Sequence, residues 1–191
     1  FAQLNEGWRQ LRCQDEERVV TVTLLPSFAS RWLLPRLPSF SRCCPDVELR
    51  LSMNDQLQDL QTSAIDLAIR FGPGHYPGLQ VTHLMDDELF PVASPALLAV
   101  QGTPQSPADL ERFVLLKDNS LESFNWSSWL RLAGAASFQP RHNLTISDSA
   151  QVVNMALAGQ GIALARRSLV ASELQNGTLR QLFDLVLPCP Y

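Results

Sequence analysis

Residues 19–52 read VVTVTLLPSFASRWLLPRLPSFSRCCPDVELRLS, and the succession of patterns in this stretch decides the fold. Residues 19–25 are β-branched and apolar residues broken by threonines, the composition of a strand. They run straight into Ser27 and a helical stretch from about Phe28 to Cys44. Pro35 and Pro38 lie inside that stretch, which predicts a break near Leu34 and a fresh start with Pro35 in the first turn. Leu33, Leu37, Phe40 and Cys44 then share one face. A second strand at 47–52 follows Pro45, a short helix is expected at 57–63, and a third strand at 66–71 ends at Gly72. This β-α-β-α-β order calls for a parallel sheet with right-handed crossovers.

Working outward, GPGHYPG at 72–78 is a loop by its proline and glycine content. Strands are expected at 79–85 and 89–93, carrying the chain into a second lobe, followed by a short helix in SPALLA. Further strands are expected at 113–116, 144–146, 162–165 and 178–183, with helices at 126–132, 149–158 and 168–175. Gly159 and Gly161 stop the second of these helices, and Asn176–Gly177 the third. Residues 185–187 then lead into PCPY. Ahead of the first strand, residues 1–17 read as a helix with Phe1, Leu4, Trp8 and Leu11 along one face. That spacing suits a two-heptad pairing seam and equally a helix docked on its own domain.

The bulk numbers bound the possibilities. A chain of 191 residues suits one large domain or two small lobes, and 46% hydrophobic content suits a packed core. No apolar run approaches the roughly 18–20 residues that span a bilayer, and the first residues carry no signal-peptide pattern. A net charge of −4, with Lys117 the only lysine, argues against this piece gripping a phosphate backbone. Cys13, Cys43, Cys44 and Cys189 lack Cys-x-x-Cys spacing, so neither a zinc site nor a disulfide framework is expected, and a cytoplasmic setting fits. His75, His83 and His142 have no ligand-like spacing, and neither a metal nor a cofactor is expected. No nucleophile elbow, phosphate loop or dinucleotide fingerprint occurs, so no enzyme activity is expected.

Taken together, LLPSFASRWLLPRL, DLAIRFG and SDSAQVVNMALAGQGIALA resemble the effector-binding part of LysR-type transcriptional regulators, with most similarity to the group around the glycine cleavage system activator. The resemblance implies an α/β fold of two Rossmann-like lobes joined by two crossover strands, like type 2 periplasmic binding proteins. It implies lobe I at 18–88, completed by 188–191, lobe II at 89–187, and a linker helix ending at 17. A winged helix-turn-helix domain, absent from this chain, would contact promoter DNA. It further implies a small-molecule effector in the interlobe cleft and a homodimer or homotetramer. One departure is that the family usually continues through another strand and a final helix. A free-standing solute-binding protein of the same fold is the alternative, and an enzyme on that fold a third.

The resemblance also places candidate ligand-binding residues. Ser27, between strand and helix, is a helix cap by its position and a pocket residue by the resemblance, with Phe28 beside it in pocket or core. Ser147, Asp148 and Ser149 begin a helix in lobe II, Asp148 being the expected N-cap. An amino acid or similar carboxylate would place its carboxylate near Ser27 and its amine near Asp148. Asn54, Asp55 and Asp59 fall at the cleft rim by resemblance, or in an ordinary solvated loop. Arg70 and Phe71 end a strand where open α/β sheets bind ligands. Arg70 suits either a carboxylate clamp or an internal pair with Asp66. Adjacent Cys43 and Cys44 admit a redox role, although small buried helix residues are the commoner reason for such a pair.

Overall fold

The computed structural model describes residues 18–56, 60, 63–119, 124–135 and 142–189. The helix expected at 1–17, most of the helix expected at 57–63, and Asp59 lie outside the described residues.

Strand β1 (Arg18–Leu24) lies between β2 (Val47–Met53) and β3 (Leu67–Ile69) in a parallel three-stranded sheet. Alternation sends Val20, Val22 and Leu24 to one face, where they pack with Ala29, Trp32 and Leu33 from the helical segment that follows. That segment is wound in four ways: an α-turn α1 (Pro26–Phe28), a π-turn (Ala29–Leu33), a 3₁₀ turn (Leu34–Arg36) and helix α2 (Leu37–Cys43). The break expected near Leu34 is therefore a change of winding within one continuous helical path. Pro35 supplies no N–H, and the Leu34 N–H reaches back to the carbonyl of Ala29. Arg36 donates to the Trp32 carbonyl at 2.7 Å and lies over the Trp32 ring, 4.6 Å from its centroid.

The second sheet has the order β6-β5-β7-β4-β8, with β9 also paired to β4. Its strands are β4 (Asp87–Ala93), β5 (Val114–Asp118), β6 (His142–Ile146), β7 (Ile162–Arg166), β8 (Arg180–Gln181) and β9 (Leu187–Cys189). β5 runs parallel to β6 and β7, while β4 is antiparallel to β7, β8 and β9. Every residue of β7 is buried because both of its faces are covered. Ile162 and Leu164 face Phe113, Trp126 and Trp129, whereas Ala163 and Ala165 face Val152, Val153 and Ala156. Helices α3 (Pro95–Gln101), α4 (Trp126–Leu132), α5 (Ser149–Leu157) and α6 (Arg167–Gln175) complete the described elements of this lobe, together with a 3₁₀ turn at Pro107–Arg112. The indole N–H groups of Trp126 and Trp129 donate to the carbonyls of Leu116 and Leu185, at 2.8 and 3.1 Å.

Three expectations need correction. Residues 79–85 form no strand: the segment has no ladder partner among the described residues, and Val81, Thr82 and His83 are exposed. Its apolar spacing satisfies a strand pattern, but no described strand lies alongside to pair with it. The strand expected at 178–183 is only Arg180–Gln181, because β9 occupies the first half of the same β4 edge. Gly161 does not help to stop a helix; it begins the approach to β7, where a Cβ would stand 2.5 Å from the Val114 carbonyl oxygen. Gly159 alone takes the left-handed conformation after α5, with φ of 72°.

Candidate functional site

Ser27 is not the cap of its helix. Leu25 holds the N-cap position and Pro26 opens the helix with its fixed φ, so Ser27 lies inside the first turn with its hydroxyl uncommitted to the backbone. The residue is buried at 6% exposure. In the other lobe, Asp148 is the N-cap of α5 and accepts from the Gln151 N–H at 2.9 Å. That leaves Ser149, the first residue of the helix and 8% exposed, facing inward.

Arg166 joins the two serines. It ends β7, in register with Leu89 of β4, and alternation places it on the face of Ile162 and Leu164. Only 3% exposed, its Nη2 donates to Ser27 Oγ and to Ser149 Oγ, each at 3.4 Å. The guanidinium carbon sits 4.7 Å from the centroid of the Phe71 ring. Its Nε has no hydrogen-bond partner among the described residues. Burial pushes the guanidinium below the usual arginine range, and the carboxylates of Asp87 and then Asp118 pull it back. Arginine nonetheless stays protonated in proteins, so a cation lies buried at the seam of the lobes. Ser149 in turn donates to the Asp118 carboxylate in a short hydrogen bond.

The remaining predicted residues divide differently. Phe71 joins Ser27 and Ser149 at the seam, packed edge-to-face with Phe124 at 6.0 Å. Phe28 stacks on Trp32 at 4.9 Å and joins the packing of the first lobe. Arg70 does not pair with Asp66, whose carboxylate accepts instead from the Thr21 N–H at 2.8 Å. Arg70 donates to the Asn54 and Gln56 carbonyls and to Thr23 Oγ1, at 2.6, 3.0 and 3.0 Å, tying the loop after β2 to β1. Burial lowers its pKa, opposed by Tyr76 and Asp55. Asn54 accepts from the Gln56 N–H, Asp55 and Ser147 are exposed, and Asp148 serves as a cap. Arg166 and Asp118 were not singled out in the sequence. The signal for Arg166 was available: a charged residue closing an otherwise apolar strand, at the strand's C-terminal end.

The helical segment after β1 also touches the second lobe. Arg31 donates to Glu173 of α6 at 2.6 Å and to Asn154 of α5 in a short bond. Beside Arg166 the second lobe leaves a space of about 10 Å³, bordered by Asp118, Ser149 and Leu169. A larger cavity of about 260 Å³ lies between Trp32, Met85 and the start of α6. Its three carboxylates are engaged: Asp86 with His83, Asp87 with Ser168, and Glu88 with Arg167. Cys189 is buried nearby, and burial together with Asp87 pushes its thiol up to about 12, the range of an inert core cysteine. Cys43 is exposed and Cys44 half-buried, both with free thiols.

Residues 14–190 match the family model described as the LysR substrate binding domain. The glycine cleavage system transcriptional activator of Escherichia coli strain K12 is 37% identical over 187 residues, covering 98% of this chain and 61% of that protein. The chain thus spans about three fifths of the length of the curated relatives it matches. The effector domain of AmpR from Pseudomonas aeruginosa superposes with a TM-score of 0.74 at 30% identity, over 90% of this chain and 81% of that one. The AmpR effector binding domain from Citrobacter freundii gives 0.75 at 26% identity, over 91% and 84%. With its two α/β sheets and the seam between them, the chain belongs to the LysR substrate binding domain family.

Proposed function

We propose that this chain is the effector-sensing part of a LysR-type transcriptional regulator, and that a small molecule binds in the seam between its two lobes. The observation that carries this reading is the meeting of Ser27 and Ser149, one from each lobe, on a single buried guanidinium. A ligand at that point touches both lobes at once. It therefore biases their closure by the difference in its affinity for two arrangements, typically about 1–3 kcal/mol. The lobe boundary falls near residue 88, where Glu88 and Asp87 of β4 pair with Pro188 and Cys189. Ser27, Phe71 and Ser149 form the centre of the site; Phe28, Asn54, Asp55, Arg70, Ser147 and Asp148 support it at its margins.

In the whole protein the bias passes through a homodimer or homotetramer to a DNA-binding domain that contacts promoter DNA in the cytoplasm. The relatives named above are transcriptional activators, not enzymes or transport proteins, and that favours the regulator over a free-standing solute-binding protein. Among the described residues no helix is long and apolar enough to cross a membrane.

The test is a thermal-shift screen of the purified protein against amino acids, nucleobases, organic acids and cell-wall fragments. A true effector raises the melting temperature with concentration through mass action. Ser27→Ala is expected to abolish that rise. A compound that shifts Ser27→Ala as strongly as the parent places its site elsewhere and overturns this reading.

A further inference from the structure

Arg166 is the one charged residue among the buried residues of the described chain. Taking a guanidinium out of water is unfavourable, and that cost is ordinarily offset by a carboxylate in contact with it. Here no carboxylate makes an ion pair with it among the described residues. The acids whose fields reach it accept hydrogen bonds elsewhere: Asp87 from the N–H and hydroxyl of Ser168, and Asp118 from Ser149. What the guanidinium has is two neutral hydroxyls at 3.4 Å, beyond the usual 2.7–3.2 Å of an N–H···O bond, and an Nε with no partner. Phe71 covers one of its faces, which leaves the in-plane N–H groups as the means of recognition.

We propose that Arg166 is the receptor for a carboxylate on the effector, which replaces the two serine hydroxyls as principal partner of the guanidinium. This rests on the reading of the seam as the effector site, and it names the chemistry of the ligand. A neutral group cannot compensate a desolvated charge, and a cation is repelled. A carboxylate matches the planar fork and forms charge-assisted bonds about twice as strong as those to hydroxyls. A doubly charged phosphate is disfavoured, because its second charge would meet the fields of Asp118 and Asp87, which both act on this site. The space of about 10 Å³ beside Arg166 lies within the second lobe and holds at most a water-sized group, so a carboxylate reaches the guanidinium from the side that Ser27 covers, when the lobes part. Parting them breaks the contacts of Arg31 with Glu173 and Asn154.

The test is calorimetric titration of the purified protein with acetate, glycine, succinate and trialanine. Each is paired with its neutral amide, and inorganic phosphate is titrated as well. The small acids and the peptide separate a free metabolite from a chain-terminal carboxylate as the source. At least one acid is expected to bind and its amide not to, with Arg166→Gln weakening that acid tenfold or more and Arg166→Lys retaining part of the affinity. Arg166→Met, with no ligand present, is expected to melt at or above the temperature of the parent, since it removes a charge that the fold leaves poorly compensated. The proposal is overturned if none of the acids binds at millimolar concentrations, if acid and amide bind alike, if phosphate alone binds, or if Arg166→Gln binds the acid as the parent does. A neutral compound that binds, loses its site in Ser27→Ala and ignores Arg166→Gln would sink the carboxylate assignment while leaving the effector reading intact.

Discussion

Gly161 marks how little room separates β5 from the start of β7. A Cβ at this position would stand 2.5 Å from the Val114 carbonyl and 3.2 Å from the Leu116 side chain. Backbone cannot step aside as a flexible side chain does, so the strands themselves must shift. Gly161→Ala is expected to cost about 1–3 kcal/mol, in the range of overpacked cores, measured by urea denaturation. An unchanged midpoint would show that β5 and β7 are less tightly apposed than these distances indicate. The consequence reaches the site, because β7 carries Arg166 at its far end. The same economy of space operates at Ser27, where Pro26 opens the helix and frees the serine hydroxyl to meet a residue 139 positions away.

Among the elements, the turn at Pro107–Arg112 is held by one carboxylate. Asp109 accepts from the N–H groups of Gln105 and Ser106, both at 2.9 Å, and from the Ser106 hydroxyl at 3.2 Å. The Gln105 and Ser106 N–H bonds hold its carboxyl below the ordinary range. A group depressed in the folded state stabilises above its unfolded pKa and ceases to do so as pH falls through its folded value. Asp109→Asn is therefore expected to be less stable than the parent at neutral pH and to converge with it below about pH 4. Thermal melts of both proteins across that range check it, and a gap that persists in acid would assign the loss to packing. The helical segment after β1 shows a different logic: proline denies it one continuous α winding, and the side chain of Arg36 returns to serve a carbonyl of the distorted turn.

For the molecule as a whole, Arg31 supplies side-chain contacts from the first lobe to α5 and α6, and these are expected to favour closed lobes. Its pair with Glu173 is little exposed, at 11% and 18%, and bridges the first lobe to α6. A pair of this kind is worth about 1 kcal/mol, which corresponds to roughly fivefold in the ratio of closed to open forms. Glu173→Gln is expected to raise the radius of gyration measured by small-angle scattering in the absence of effector. Added salt should narrow the difference by screening. Identical scattering curves for the two proteins would mean that Arg31 does not govern closure.

Much of this architecture was legible in the linear chain. The strand patterns at 19–25 and 162–165, the proline signals around residue 35, the Asp148 cap and the stop at Gly159 are local matters. They depend on side-chain period, backbone freedom and hydrogen bonds within a few residues, which the sequence carries directly. Residues 79–85 mark the limit, since a strand needs a partner and no local pattern supplies one. The division of the β4 edge between β8 and β9 was likewise a matter of which segments arrive there. For the site, the sequence offers Ser27, Phe71 and Ser149 as candidates, and the resemblance, not their spacing, sets the helix start at Asp148 across a cleft from Ser27. Their meeting at Arg166, the carbonyl partners of Arg70 and the bond from Ser149 to Asp118 were decided by tertiary structure. Burial of a charge depends on which surfaces close over it, and those surfaces come from parts of the chain that sequence order keeps far apart.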